Sequence, residues 1–261
     1  MTKQGYGEKK VSKKSTIRTT ILIALVALVS ITAATAAWFT IADNTRLRGI
    51  GLDITTGQSL RFDLDPHATI EEYVQTLSFA QIADRIQQDI GVDITFEPME
   101  PVTTDDGITF SYQFGQEAAP ESGDFIHYTL HFMASKDMLV HLTRQDGDDE
   151  ATLIIADNDA LVRALRIGFY VDGKFLVYDP DMGDEAEDLE NMRIFGISNA
   201  EEMIYNDNNV LFPITTGKDK VVEVYIWLEG SDEECTNDLK LEQFSIRMKF
   251  TGTDENNMPF E

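Results

Sequence analysis

The segment Phe244-Ser245-Ile246-Arg247-Met248-Lys249-Phe250 reads as a half-buried β-strand. Side chains alternate across a strand with a period of two, so Phe244, Ile246, Met248 and Phe250 share one face and Ser245, Arg247 and Lys249 the other. The same pattern recurs toward the N-terminus. Val221 to Leu228 places Val222, Val224, Ile226 and Leu228 together, and Phe125 to Phe132 does the same with Ile126, Tyr128, Leu130 and Phe132. Leu165 to Val171 and Lys174 to Tyr178 flank Asp172-Gly173, which suits a two-residue type I′ hairpin because both central positions need positive φ. Ile50, Leu52 and Ile54 alternate within Arg48 to Thr55.

The period changes once. Ile70, Val74, Leu77, Ile82, Ile86 and Ile90 recur at mainly helical spacing, with Glu71 and Glu72 where the helix dipole favours acids and Gly91 as the stop. This predicts one amphipathic helix over 69–90 whose apolar stripe packs on a core. Many strands, polar turns and one or two helices predict a mainly β fold, a β-sandwich of jelly-roll type. No internal repeat and no Pro/Ser-rich linker divides residues 43–261, which read as one ectodomain.

What precedes that domain sets its compartment. Residues 1–18 hold six bases (Lys3, Lys9, Lys10, Lys13, Lys14, Arg18) against Glu8, so this basic leader carries +5 of a total of −25, and the body carries −30. Residues 19–42 are uncharged, and 24 residues of helix reach about 36 Å, enough to cross a bilayer core. The positive-inside rule keeps the lysines cytoplasmic and sends the acidic body outward. The second half of the span is small-residue sequence, and Ala34-Thr35-Ala36 matches a signal-peptidase site, with Ala34 and Ala36 as its recognition residues. Anchor and cleaved signal are both compatible with this stretch. Either way the expectation is a bacterial membrane protein with its ectodomain outside, or a secreted one, contacting the membrane through the N-terminal segment only. The single cysteine, Cys235, allows no intramolecular disulfide. A body of −30 repels phosphate backbones, which excludes nucleic acid as a partner.

The chemistry-bearing residues do not converge. His127 and His131 share a strand face with Cα atoms about 13 Å apart, too far to bind one metal ion together. The run from Asp179 to Glu190 offers Asp179, Asp181 and Glu190 at the first, third and twelfth positions of a calcium loop. It has Asp184 where the sixth position requires Gly, and Gly183 supplies no ligand at the fifth. The expectation is a solvated loop, in which Asp179, Asp181, Asp184 and Glu190 are the residues a loosely held calcium ion would use. Asp146 to Glu150 reads the same way. Asp232, Glu233 and Glu234 precede Cys235 and raise its thiol pKa, which blunts it as a nucleophile. There is no G-x-S-x-G elbow, no H-E-x-x-H and no Gly-rich phosphate loop, so neither a catalytic residue nor a cofactor is expected.

Two stretches carry a resemblance. The leader running into Ala36-Ala37-Trp38-Phe39-Thr40, followed by a Gly-containing strand, resembles the start of the TasA/camelysin-like exported proteins of Gram-positive bacteria. Ala164 to Tyr170 and Val224 to Thr236 look like the late strands of single-leader proteins from the same bacteria. The resemblance covers about a third of the chain and includes no catalytic motif. It implies a jelly-roll subunit of the cell surface or biofilm matrix, processed by a dedicated signal peptidase and in some relatives assembled into fibres. The helix at 69–90 and the acidic run at 179–190 have no counterpart in it. Two functions stay open. One is a non-catalytic structural subunit that self-associates through edge strands or binds other surface proteins. The other is a surface module that binds glycan or calcium through its loops.

Overall fold

The strand expected at Phe244 to Phe250 is the spine of the molecule. The computed structural model describes residue 23 and residues 45–54, 59–95, 98–144, 153–182, 186–189, 192–197, 204–239 and 242–260. The leader with Ala34 and Ala36, the acidic residues 146–150, and Asp184 and Glu190 therefore lie outside the described residues. Among those described, no helix is long and apolar enough to cross a membrane.

The chain first forms β1 (Arg46–Ile54), β2 (Leu60–Asp63), β3 (Thr76–Leu77) and helix α1 (Phe79–Ile90). Then come β4 (Phe125–Ala134), β5 (Met138–Thr143), β6 (Ile154–Ala156) and the short helix α2 (Asp159–Ala164). Strands β7 (Leu165–Val171), β8 (Lys174–Tyr178), β9 (Ala186–Leu189) and β10 (Met192–Phe195) follow. The last are β11 (Val210–Ile214), β12 (Lys220–Leu228) and β13 (Gln243–Thr253). They build two mixed sheets. Sheet I runs β11-β5-β13-β1-β3, with β6 also paired to β13, and sheet II runs β2-β4-β12-β7-β8-β10-β9. The fold is mainly β, as its alternating sequence requires.

Phe250 marks where the sheets meet. Its ring lies edge-on to Phe62, Phe132 and Phe169 of sheet II, with centroids 6.0, 5.0 and 6.4 Å away. Phe132 in turn meets Phe212 of sheet I at 5.2 Å. Such edge-to-face pairs add to the gain from burying apolar area. The alternation read from sequence is the alternation that fills this core: Phe244, Ile246, Met248, Val222, Val224, Ile226 and Leu228 are all buried. The hairpin between β7 and β8 also forms as read, with φ of 53° at Asp172 and 77° at Gly173.

Two features depart from the sequence reading and a third has no counterpart in it. First, the predicted helix over 69–90 is split. A 3-10 turn covers Ile70–Glu72, β3 pairs with β1, and α1 begins only at Phe79. The cause is two successive S/T-x-x-E/Q signals. Thr69 N donates to Glu72 Oε2, and nine residues later Ser78 N donates to Gln81 Oε1 while Gln81 N donates to Ser78 Oγ. Each box starts a helix afresh. Gly91 ends α1 in the left-handed region, as expected. Second, part of the acidic run is strand: β9 pairs antiparallel with β10 at the margin of sheet II. Third, β1 runs parallel to β13, so the first and last strands are neighbours.

The outer face of sheet II also carries a second apolar cluster. Val102, Phe110 and Ala118, from the excursion between α1 and β4, cover Phe125, Phe175, Val177, Tyr225 and Trp227. Phe110 stacks on Phe125 at 4.3 Å. The Phe175 ring sits in a slot between two glycines. A Cβ on Gly168 would come 2.5 Å from its Cζ, and one on Gly107 2.2 Å from its Cγ.

Candidate functional site

An arginine on an otherwise apolar strand needs a partner, because a charge moved out of water alone is costly. Arg166 on β7 finds two. Its Nη2 lies 3.1 Å from Asp179 Oδ2 and 2.5 Å from Asp232 Oδ2, and the three side chains are only 8–13% exposed. Asp179 follows β8, and Asp232 lies in the turn after β12 that Glu229, Ser231 and Cys235 share. Trp227 Nε1 donates to Glu229 Oε2 at 2.9 Å, and Ser231 Oγ donates to Glu229 Oε1 at 2.7 Å. Arg166, Asp179, Trp227, Glu229 and Ser231 line a cleft of about 260 Å³ together with Thr103 to Asp105, Val177, Met192 and Ile194.

The electrostatics follow from burial and from the guanidinium. Burial raises the Asp179 carboxyl pKa, with Arg166 opposing. Burial works the same way on Asp232, but hydrogen bonds from Glu234 and the charge of Arg166 outweigh it and lower its pKa. Glu234, hydrogen-bonded to Asp232, is pushed up. Burial, then Asp232 and Glu229, drive the Cys235 thiol to about 12, so it stays a thiol at neutral pH. The sign expected from its acidic neighbours holds, although burial is the larger cause. Two carboxylates against one guanidinium leave the cluster acidic, which suits neutral or cationic ligands.

The remaining sequence candidates separate. Asp179 accepts from Asp181 N at 3.0 Å as well as facing Arg166, while Asp181 is exposed on the 3-10 turn Pro180–Met182. Asp179 is thus already paired in the fold. His127 and His131 lie on the outer face of β4, each with its own carboxylate: Glu223 at 3.3 Å and Asp219 at 2.8 Å. Among the described residues, no three His, Cys, Asp or Glu side chains are placed to hold one metal ion. Asp232 is legible in the sequence only as an acidic neighbour of Cys235, and Arg166 is not singled out there. The available signal was a lone charge inside Ala164-Leu165-Arg166-Ile167.

A second polar constellation lies in sheet I. His141 Nε2 is 2.9 Å from Thr253 Oγ1, and its Nδ1 is 3.0 Å from Asn209 Oδ1. Hydroxyl, imidazole and amide in this order have the connectivity of a nucleophile, a base and its orienting group. All three are buried, at 0–3% exposure, so the arrangement is closed to any substrate in this conformation.

The strand edges are unequal. Edge strand β11 carries Pro213 and a register shift between Val210 and Phe212, β2 has four residues, and β9 has Glu187 and Asp188 in its sequence. Short strands, proline, irregularity and charge are how sheets block stray pairing. In β1, by contrast, only Leu52 and Asp53 find a strand partner on the side away from β13. Residues 46–51 pair with no strand on that side among the described residues. Comparison of the chain with protein-family models, curated proteins and solved structures returned no match.

Proposed function

We propose that this chain is a non-catalytic structural subunit of a bacterial cell surface or extracellular matrix. In this reading it is a jelly-roll-like sandwich, exported by its N-terminal segment, that self-assembles by strand pairing. The observation that carries the reading is β1. It is the first described strand after the leader, it is held by one long ladder to β13, and on its other side only Leu52 and Asp53 pair with a strand among the described residues. A strand so placed is suited to leave its own sheet and complete a neighbour's. The contact is head-to-tail and propagates instead of closing. The resemblance of the leader to TasA/camelysin-like proteins points the same way.

The charge of −30 on the body opposes assembly, since each subunit repels the next. Screening or protonating carboxylates removes repulsion. Light scattering of residues 43–261 should therefore rise with salt, and rise as pH falls from about 7 toward about 4.5, near the carboxylate pKa values. A protein that stays monomeric throughout refutes the reading.

The Arg166 cleft supports a second reading, a surface module for a neutral or cationic ligand such as glycan. It predicts a ligand-dependent rise in Tm with no change in sedimentation.

A further inference from the structure

The outer face of sheet I gathers buried polar groups. His141 and Thr143 of β5, Lys249, Thr251 and Thr253 of β13, and Asn209 are all buried there. Residues 204–209 cover His141. The Tyr205 ring stands edge-on to its imidazole at 5.5 Å, and Asn209 Nδ2 donates to the carbonyls of Ile204 at 3.1 Å and Leu142 at 3.5 Å. Those two bonds aim Asn209 Oδ1 at His141, so Nδ1 of the imidazole carries a proton and donates. The other nitrogen, Nε2, faces a hydroxyl with two options. Thr253 Oγ1 is 2.9 Å from Nε2 and 3.1 Å from the Asp254 carbonyl. With neutral His141 the hydroxyl donates to Nε2. With a second proton on the ring, Nε2–H donates to Oγ1 and the hydroxyl turns to Asp254 O. Proton uptake thus needs one hydroxyl rotation and leaves both the ring nitrogen and the hydroxyl with a partner.

The cost is the charge, placed in a closed site. Facing it are Asp207 and Tyr205 of the cover, whose backbone Arg193 of β10 holds by donating to the carbonyls of Asp207 and Val210. Lys249 lies on the same sheet face. Asp254 turns its carboxylate to the amides of Asn256 and Met258. Burial is the largest influence and pushes the pKa of His141 down, while the Asn209 hydrogen bond and the charge of Asp207 oppose it. Opening residues 204–214 would return the ring to water.

We propose that His141 is an acid-sensitive latch, whose protonation releases residues 204–214, including edge strand β11, from β5. The sign follows from linkage. A histidine depressed in the closed state leaves the open state holding more protons, so opening grows as pH falls below the ordinary histidine value of about 6.5. One proton can drive it by at most about tenfold per pH unit. Release bares the β5 groups that pair with β11 at Met138 to His141, an edge able to accept a strand. That consequence alone rests on the self-assembly reading.

The test is amide hydrogen exchange on the full chain in detergent at about pH 7.5 and about pH 5.5, corrected for intrinsic rates and referenced to β12. The expected result is a several-fold loss of protection at 204–214 in acid, absent from His141→Gln, which keeps polar contacts but cannot titrate. Equal protection at both pH values, or the same acid response in His141→Gln, overturns the latch. Should His141→Gln fail to fold, histidine NMR of the unmodified chain decides. Exchange at 204–214 must follow titration of the His141 ring, and loosening while the ring stays neutral overturns the latch. Acid opening without any rise in light scattering leaves the latch standing and refutes strand acceptance.

Discussion

Arg166 shows how one side chain ties distant parts of the chain together. It joins β7 to the residue after β8 and to the turn after β12, and it neutralises carboxylates that the fold has largely removed from water. Removing one member of such a cluster leaves buried charge uncompensated, so Arg166→Ala should cost about 3–5 kcal/mol in chemical denaturation. The two carboxylates respond oppositely to pH. Asp179, with its folded pKa raised by burial, destabilises the fold at neutral pH and is relieved as pH falls through that raised value. Asp232, held below its ordinary value, stabilises above that range and loses its contribution as pH falls through its lowered pKa. A cost in Arg166→Ala below about 1 kcal/mol, the range of exposed ion pairs, would show that the cluster is solvated in solution.

At the scale of elements, the acidic run bears on calcium. Asp179 already faces Arg166, and β9 takes up Ala186–Leu189, so the twelve-residue spacing does not act as one loop. We predict that millimolar calcium raises the Tm of residues 43–261 no more than magnesium or matched NaCl does, as screening alone would. A calcium-specific rise would place a site around Asp181, Asp184 and Glu190. Much of the fold was legible because single-faced strands advertise themselves. β13, β12, β4 and the Asp172-Gly173 hairpin follow from alternation and turn chemistry alone. Hydrophobic spacing alone extends the helix over 69–90, whereas the Ser78–Gln81 box, also legible in the sequence, restarts it at Phe79. The second aromatic cluster was not legible. Tyr225 and Trp227 alternate as outward residues, and only the fold shows that the excursion from 98 to 123 covers them. Nor does a strand pattern say which neighbour it takes, so the parallel pairing of β1 with β13 had no sequence signal. Of the candidate site, the raised thiol pKa of Cys235 and the separation of the two histidines are legible in the sequence, and the Arg166 cluster is not, because its partners lie 13 and 66 residues away.

At the scale of the molecule, the proposed assembly makes β1 both a working part of sheet I and the strand passed between copies. Ile50 and Leu52 are buried in the core, so deleting β1 would damage the fold as well as the contact. A tether separates the two. Gly49 and Ser245 are register partners on adjacent strands, and both are partly exposed. Neighbouring strands hold such Cα atoms about 5 Å apart, within reach of a disulfide. The native Cys235 is buried and does not compete. The decisive measurement is sedimentation velocity of Gly49→Cys/Ser245→Cys in residues 43–261, oxidised and reduced, in high salt at about pH 5. If β1 is donated, the reduced protein assembles and the oxidised protein, its first strand locked to its last, remains monomeric. Equal assembly in both states would contradict strand donation.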